Sequence, residues 1–181
     1  MLNNIDQQLK PIGPNYVGAY LGTGIQLYNR LEWTSKQTGK ADITVMTFSI
    51  SEEFIRKIWI LKQKDLIGNI TVLLDFKAVQ KTQKLIGFAG NVFSEMYYAK
   101  THAKLVLVEN DMHQISITGS QNFTKGNREE SGIIMNDPTV FLKYKTEINR
   151  IKSQSVKHGS ADDFEQPYTP KVRKRTDKMQ S

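Results

Sequence analysis

Two short stretches of this chain combine side chains whose types and spacing could do chemistry. In THAKLVLVE, His102 and Lys104 stand two residues apart at the edge of an apolar run. On a strand that spacing puts both side chains on one face, so an imidazole able to act as base or nucleophile lies beside a positive charge. In TGSQNFT, Gly119 and Ser120 follow a second β-type run, and Ser120 and Asn122 again share a parity, which brings a hydroxyl and a carboxamide to one face. Taken singly, the first pair is also an ordinary polar strand end and the second an ordinary strand-to-loop turn. Their combination is what is informative.

The elements that must position these groups are readable from pattern. Residues 1–14 hold Pro11 and Pro14 and few apolar positions, which predicts an extended lead-in rather than a helix. Tyr16 to Leu21 reads as a short strand. A helix carrying Ile25, Leu27, Tyr28 and Leu31 follows Gly22 and Gly24 and closes at Gly39. Asp42 to Ile50 is rich in β-branched and aromatic residues and reads as a buried strand. Ser51 then caps a helix with Glu52 and Glu53 in its first turn and Phe54, Ile55, Ile58 and Leu61 as its stripe. Gly68 and Asn69 break the pattern before a strand over 70–75, with a helix at about 78–86. Strand, helix, strand, helix implies right-handed crossovers and a parallel sheet. The second half changes to short β-type runs at 104–108, 114–118 and 132–135, then a helix from Asp137 and Pro138 to about Ile151. The expected fold is α/β, a mixed, largely parallel sheet with helices on both faces, in an α-β-α sandwich.

Composition bounds the rest. A chain of 181 residues suits one domain, here 15–152, between the lead-in and a polar tail at 153–181 whose mixture of Pro, Gly and charge predicts disorder. There are no cysteines and three histidines, which excludes a disulfide framework and a thiolate zinc site. The N-terminal residues show no basic region followed by an apolar run, and no segment reaches the roughly 18 apolar residues of a membrane span, so a cytoplasmic protein without stable membrane association is expected. Net charge is +7; the tail has six basic and four acidic residues, +2, which leaves +5 for the body. Such an excess favours polyanions, nucleic acid above all.

The order His-x-Lys, four residues, an acidic residue, then Gly-Ser-x-Asn after a second strand resembles the signature of the phospholipase D superfamily, here as His102, Lys104, Glu109, Gly119, Ser120 and Asn122. The likeness runs on through Phe123 and Thr124 to Glu129 and Glu130, covers roughly 40–152, and is greatest to the small bacterial endonucleases that carry a single motif. One position departs: the family's acidic residue is normally Asp, whereas this chain has Glu109, with Asp111 two residues on. In the family that residue supports structure.

The resemblance implies a phosphodiesterase that needs no metal and no cofactor. Lys104 and Asn122 would hold the non-bridging oxygens, with Ser120 assisting, and His102 would attack phosphorus to give a phosphohistidine. A second His must protonate the leaving oxygen and later activate water. His113 and His158 lie in unrelated contexts, so the second imidazole is expected from His102 of a homodimeric partner. Glu130 matches the carboxylate that holds the nucleophilic imidazole, with Glu129 its competitor. Gly119 and Glu109 are structural parts of the motif. The expected activity is cleavage of DNA or RNA; the alternatives are a lipid phosphodiesterase, or a catalytically silent nucleic-acid-binding protein on the same fold. Tyr97 and Tyr98 read either as base-stacking residues or as core, and KVRKR at 171–175 either as a backbone-binding tail or as a solvated terminus.

Overall fold

Apolar alternation along the strands decides the architecture. The computed structural model describes residues 5–23, 25–122 and 128–159. Its elements are α1 (Ile5–Gln8), β1 (Val17–Gly22), α2 (Leu27–Thr38), β2 (Ala41–Thr47), α3 (Glu52–Gln63), β3 (Ile67–Asp75), α4 (Phe76–Val92), β4 (Glu95–Ala99), β5 (Leu105–Glu109), β6 (Gln114–Gly119), β7 (Glu130–Asn136), α5 (Pro138–Ser153) and β8 (Val156–Lys157). In β2, β3 and β5, residues such as Val45, Val72 and Val106 enter a core with Leu31, Ile55 and Ile58 of α2 and α3, and with Ala89 of α4. Their neighbours Met46, Leu73 and Leu105 point the other way, onto Phe141 and Ile148 of α5. The sheet is therefore covered on both faces, as expected.

The eight strands run in the order β1-β7-β6-β5-β2-β3-β4-β8. The mixed α/β class is the one expected, but its parallel part is smaller: among the described residues only β2 with β3 and β3 with β4 pair in parallel. The other pairings are antiparallel. A connection as short as residues 110–113 between β5 and β6 permits nothing else, because a parallel pair needs a crossover of a dozen residues or more. Asn110 closes that turn, its side chain accepting from the backbone of Met112 and His113.

Several local expectations are corrected. The lead-in contains a helix, α1, because Ile5 and Leu9, one helical turn apart, are both buried, and α1 packs against α2 before Pro11 ends the run. Strand β3 starts at Ile67, and Gly68 lies inside it: a Cβ there would stand 2.5 Å from the Asp42 carboxylate, which accepts from the backbone of Asn69. Helix α4 runs from its cap, Asp75, to Val92, well past 78–86. Strands β4 and β8 carry no alternation long enough to predict. Tyr97 and Tyr98 lie in β4 and are 8% and 6% exposed, so they are core residues and their faces are closed to a base. Residues 153–159 finish α5 and form β8; the remaining tail, with KVRKR, lies outside the described residues, as do Phe123 and Thr124. No helix among the described residues is long and apolar enough to cross a membrane.

Candidate functional site

The edge of the sheet where β1, β2, β3 and β6 end and β5 and β7 begin gathers the polar groups singled out from the sequence. Ligands of open α/β sheets bind outside such carboxyl ends. The connection from β4 to β5, residues 100–104, crosses this edge over the ends of β3 and β2 because β5 lies on the far side of β2. The buried Asp75 carboxylate fixes it, accepting from the Thr101 N–H at 2.9 Å, and the Thr101 hydroxyl in turn accepts from the Ala103 N–H at 3.1 Å.

His102 is exposed on this crossing segment, its ring 5.5 Å from that of Phe48. The pair with Lys104 falls just before the strand instead of on it, yet the two side chains meet: Nζ of Lys104 is 3.0 Å from Nδ1 of His102 and donates to the His102 carbonyl at 2.7 Å. An ammonium has only donors, so Nδ1 accepts and the ring proton sits on Nε2. Burial pulls the Lys104 ammonium below the ordinary lysine value, and the Glu130 carboxylate pulls it partly back.

Beside this pair, the N–H of Gly119 donates to the Lys104 carbonyl at 3.2 Å, which ties the end of β6 to the His-x-Lys segment. The N–H of Ser120 donates to the Ser131 carbonyl at 3.0 Å, and the Ser131 N–H returns to the Ser120 hydroxyl at 3.1 Å. That hydroxyl donates to Glu130. Glu130 thus engages Ser120 rather than the His102 imidazole, the role expected of it, while its charge acts on Lys104. Glu129 is exposed. Asn122 is partly exposed, but its Oδ1 is buried and has no hydrogen-bond partner among the described residues.

Glu109 lies elsewhere. It is at the opposite end of β5, across from Asp42, and pairs with Lys145 of α5 at 2.5 Å, a structural role that fits Glu as well as Asp. His113 sits in the turn at that same end, 3.3 Å from the Asn110 side chain. His158 packs against Tyr98, its Nδ1 2.9 Å from the phenol.

Four supporting residues escaped sequence reasoning. Asp75 was legible only as a strand-end acid. Gln121, nearly buried, donates to Gln26 at 2.6 Å and anchors the Ser-x-Asn turn to the start of α2. Tyr20 fills the space left by Gly119 and Gly132, which face each other across β6 and β7. Arg30, fully buried, lies against Tyr20 and Gly119. All four depend on contacts between residues far apart in the chain, which no local pattern announces.

No family model matches the chain, and no curated protein matches it by sequence. Solved structures do. Nuc from Salmonella typhimurium, a phospholipase D family member, is 18% identical with a TM-score of 0.58, over 80% of this chain and 100% of that one. NucT from Helicobacter pylori is 12% identical with a TM-score of 0.58, over 78% of this chain and 99% of that one. Phosphatidylserine synthase from Haemophilus influenzae, at 15% identity and a TM-score of 0.51, matches 78% of this chain through 39% of its own length. The fold of this chain is therefore that of the phospholipase D superfamily.

Proposed function

We propose that this chain is a phosphodiesterase, and specifically an endonuclease for DNA or RNA, working through a phosphohistidine in a homodimeric site without a metal ion. The observation that carries the reading is the Lys104 ammonium 3.0 Å from the His102 imidazole at the open sheet edge, with the Ser120–Glu130 pair beside it. An ammonium and an amide aimed at phosphate oxygens supply the charge stabilisation that divalent ions give elsewhere. The basic body of the chain favours a polyanionic substrate over a lone diester.

The protonation state sorts the roles. With Lys104 on Nδ1, the His102 imidazole is neutral with its proton on Nε2, whereas the acid that the leaving oxygen needs is an imidazolium with both ring nitrogens protonated. When Lys104 turns to the phosphate oxygens, Nδ1 is released and can take the ring proton, leaving the Nε2 lone pair for attack. One imidazole then forms the N–P bond as the P–O bond to the leaving nucleotide breaks, and His102 of the partner subunit, as the imidazolium, gives that oxygen its proton and becomes neutral. Water, deprotonated by the same partner imidazole, next attacks phosphorus and frees the first. One imidazole cannot hold both states at once, so two chains are required.

The test is cleavage of labelled single- and double-stranded DNA and RNA in EDTA, with phosphatidylcholine vesicles in parallel and oligomeric state followed by sedimentation. The parent protein is expected to cut nucleic acid as a dimer, and His102→Ala to lose about 10³-fold or more while still binding. Hydrolysis of vesicles alone, or turnover by a strict monomer, would refute the reading.

A further inference from the structure

Asp75 is 6% exposed, and its two carboxylate oxygens take different backbone groups: Oδ1 accepts from Lys77 N–H at 2.8 Å and Oδ2 from Thr101 N–H at 2.9 Å. One carboxylate thus clamps the start of α4 to the segment that carries His102. The clamp brings Phe76 and Lys77 from one side, and Lys100 from the other, to the same stretch of edge as the imidazole.

These three side chains are exposed, Phe76 to 46%. The Phe76 ring is not loose: it lies 6.3 Å from the ring of buried Tyr98, which holds one flank and leaves the rest to solvent. Lys77 and Lys100 make no ion pair among the described residues. Asp75, the acid next to them, is engaged by the two backbone N–H groups. The order β5-β2-β3 places this cluster two strands from Lys104, about 10 Å along the edge at ordinary strand spacing. That is beyond the scissile phosphate and within reach of the next unit of a polymer.

An exposed aromatic face on a fixed backing, flanked by unpaired cations, is the arrangement that takes an unpaired base by stacking and its backbone by charge. A base inside a duplex has no free face to offer. We infer that Phe76, Lys77 and Lys100 form a subsite for the nucleotide neighbouring the scissile phosphate, with an unpaired base on Phe76 and a backbone phosphate on the lysines, giving a preference for single strands. This rests on the nucleic-acid reading of the site, but its test is separable from catalysis.

The measurement is fluorescence anisotropy of labelled oligothymidylate and of a duplex, in EDTA, across a salt series. The proteins compared are the parent, Phe76→Ala, Phe76→Leu, Phe76→Trp and the Lys77→Ala/Lys100→Ala pair, each checked for an unchanged thermal melt. Loss of the ring is expected to raise the single-strand Kd about tenfold, with Phe76→Trp retaining affinity and duplex binding little altered. The lysine pair, sharing one phosphate, should lower the single-strand salt slope by about 0.7. The inference is overturned if Phe76→Leu binds the oligonucleotide as tightly as the parent, or if loss of the Phe76 ring lowers single-strand and duplex affinities together. Should the parent cut nothing while binding still depends on Phe76, the catalytic reading fails and the subsite stands.

Discussion

The guanidinium of Arg30 lies 3.6 Å above the ring of Tyr20, and both are sealed behind the strand ends that carry Ser120 and Glu130. Burial pushes the Tyr20 phenol up to about 12 and pulls Arg30 down to about 10, while each group and the Glu130 carboxylate act on the other's charge. Arg30 donates to the Ile25 carbonyl at 2.9 Å, and its Nε and Nη1 have no hydrogen-bond partner among the described residues. The Tyr20 hydroxyl reaches the carbonyls of Thr118 and Ser131 at 3.4 and 3.3 Å. A charged, aromatic plug therefore backs this edge, and it fits only because two facing residues lack side chains.

That packing predicts the effect of restoring them. A Cβ on Gly132 would stand 1.8 Å from the Tyr20 hydroxyl and 2.2 Å from the Thr118 carbonyl, whereas one on Gly119 would stand 2.7 Å from that hydroxyl and 3.0 Å from the Ser131 carbonyl. Gly132→Ala is expected to destabilise by about 1–3 kcal/mol, and more than Gly119→Ala. Adding Tyr20→Phe removes the hydroxyl and should restore part of the loss in the Gly119 variant. It should restore less in the Gly132 variant, where a backbone oxygen also obstructs. Urea unfolding of the two singles and two doubles checks the order.

In the proposed reaction Lys104 would hold phosphate only as the ammonium, so its environment would set a pH limit. Burial shifts its titration below the ordinary 10.5, with Glu130 opposing the shift. The alkaline limb of kcat/KM should accordingly fall below that value. Glu130→Gln removes the charge that favours the ammonium, so it should move the limb to still lower pH. The midpoint of the limb is the readout, independent of how much activity remains. A limb unmoved or displaced to higher pH would separate Glu130 from Lys104.

What sequence could deliver here follows from how local each signal is. Ser51, Asp137 and Gly39 bound their helices as read, because a cap is a property of a few adjacent residues. His102, Lys104, Ser120 and Asn122 were singled out by type and spacing; the structure brings the first two into contact at one edge with Ser120, although all four lie outside the strands on which their parity was argued. The parallel share of the sheet was overread, since pairing partners such as β2 and β5 meet only through the tertiary fold. Strand β4 was invisible because Met96, Tyr97 and Tyr98 are buried on both faces and show no alternation. The contact of Glu130 with Ser120 rather than His102 is likewise a matter of geometry across ten residues, which residue types alone leave open.

The edge of the sheet at β8 carries its own pH dependence. Glu95 on β4 receives Lys152 of α5 at 2.6 Å and Lys157 of β8 at 2.8 Å. These hydrogen bonds hold its carboxyl well down, at about 2 against an ordinary 4.5. A depressed carboxyl contributes stability above its unfolded pKa and loses it as pH falls through the folded one, so this share should disappear between about pH 4.5 and 2. The groups are substantially exposed, so salt should weaken the effect. Glu95→Gln is expected to flatten that part of an acid titration followed by circular dichroism, and to loosen β8 first in hydrogen exchange.

Asn122 separates stability from function most directly. Its Oδ1 is buried and has no donor among the described residues, and a group left unpaired costs about 1–3 kcal/mol. Asn122→Leu replaces the amide by an apolar group of similar size and is expected to leave the unfolding free energy unchanged or raised. Phosphodiesterase activity should fall by about 10²-fold or more, as when a single preorganised transition-state donor is lost. Asn122→Asp keeps the shape but sets a carboxylate against the phosphate, and should lose at least as much activity. If both variants unfold early and lose activity in proportion, Asn122 is a structural residue of the turn, and the oxygen-binding role falls to Lys104 and Ser120 alone.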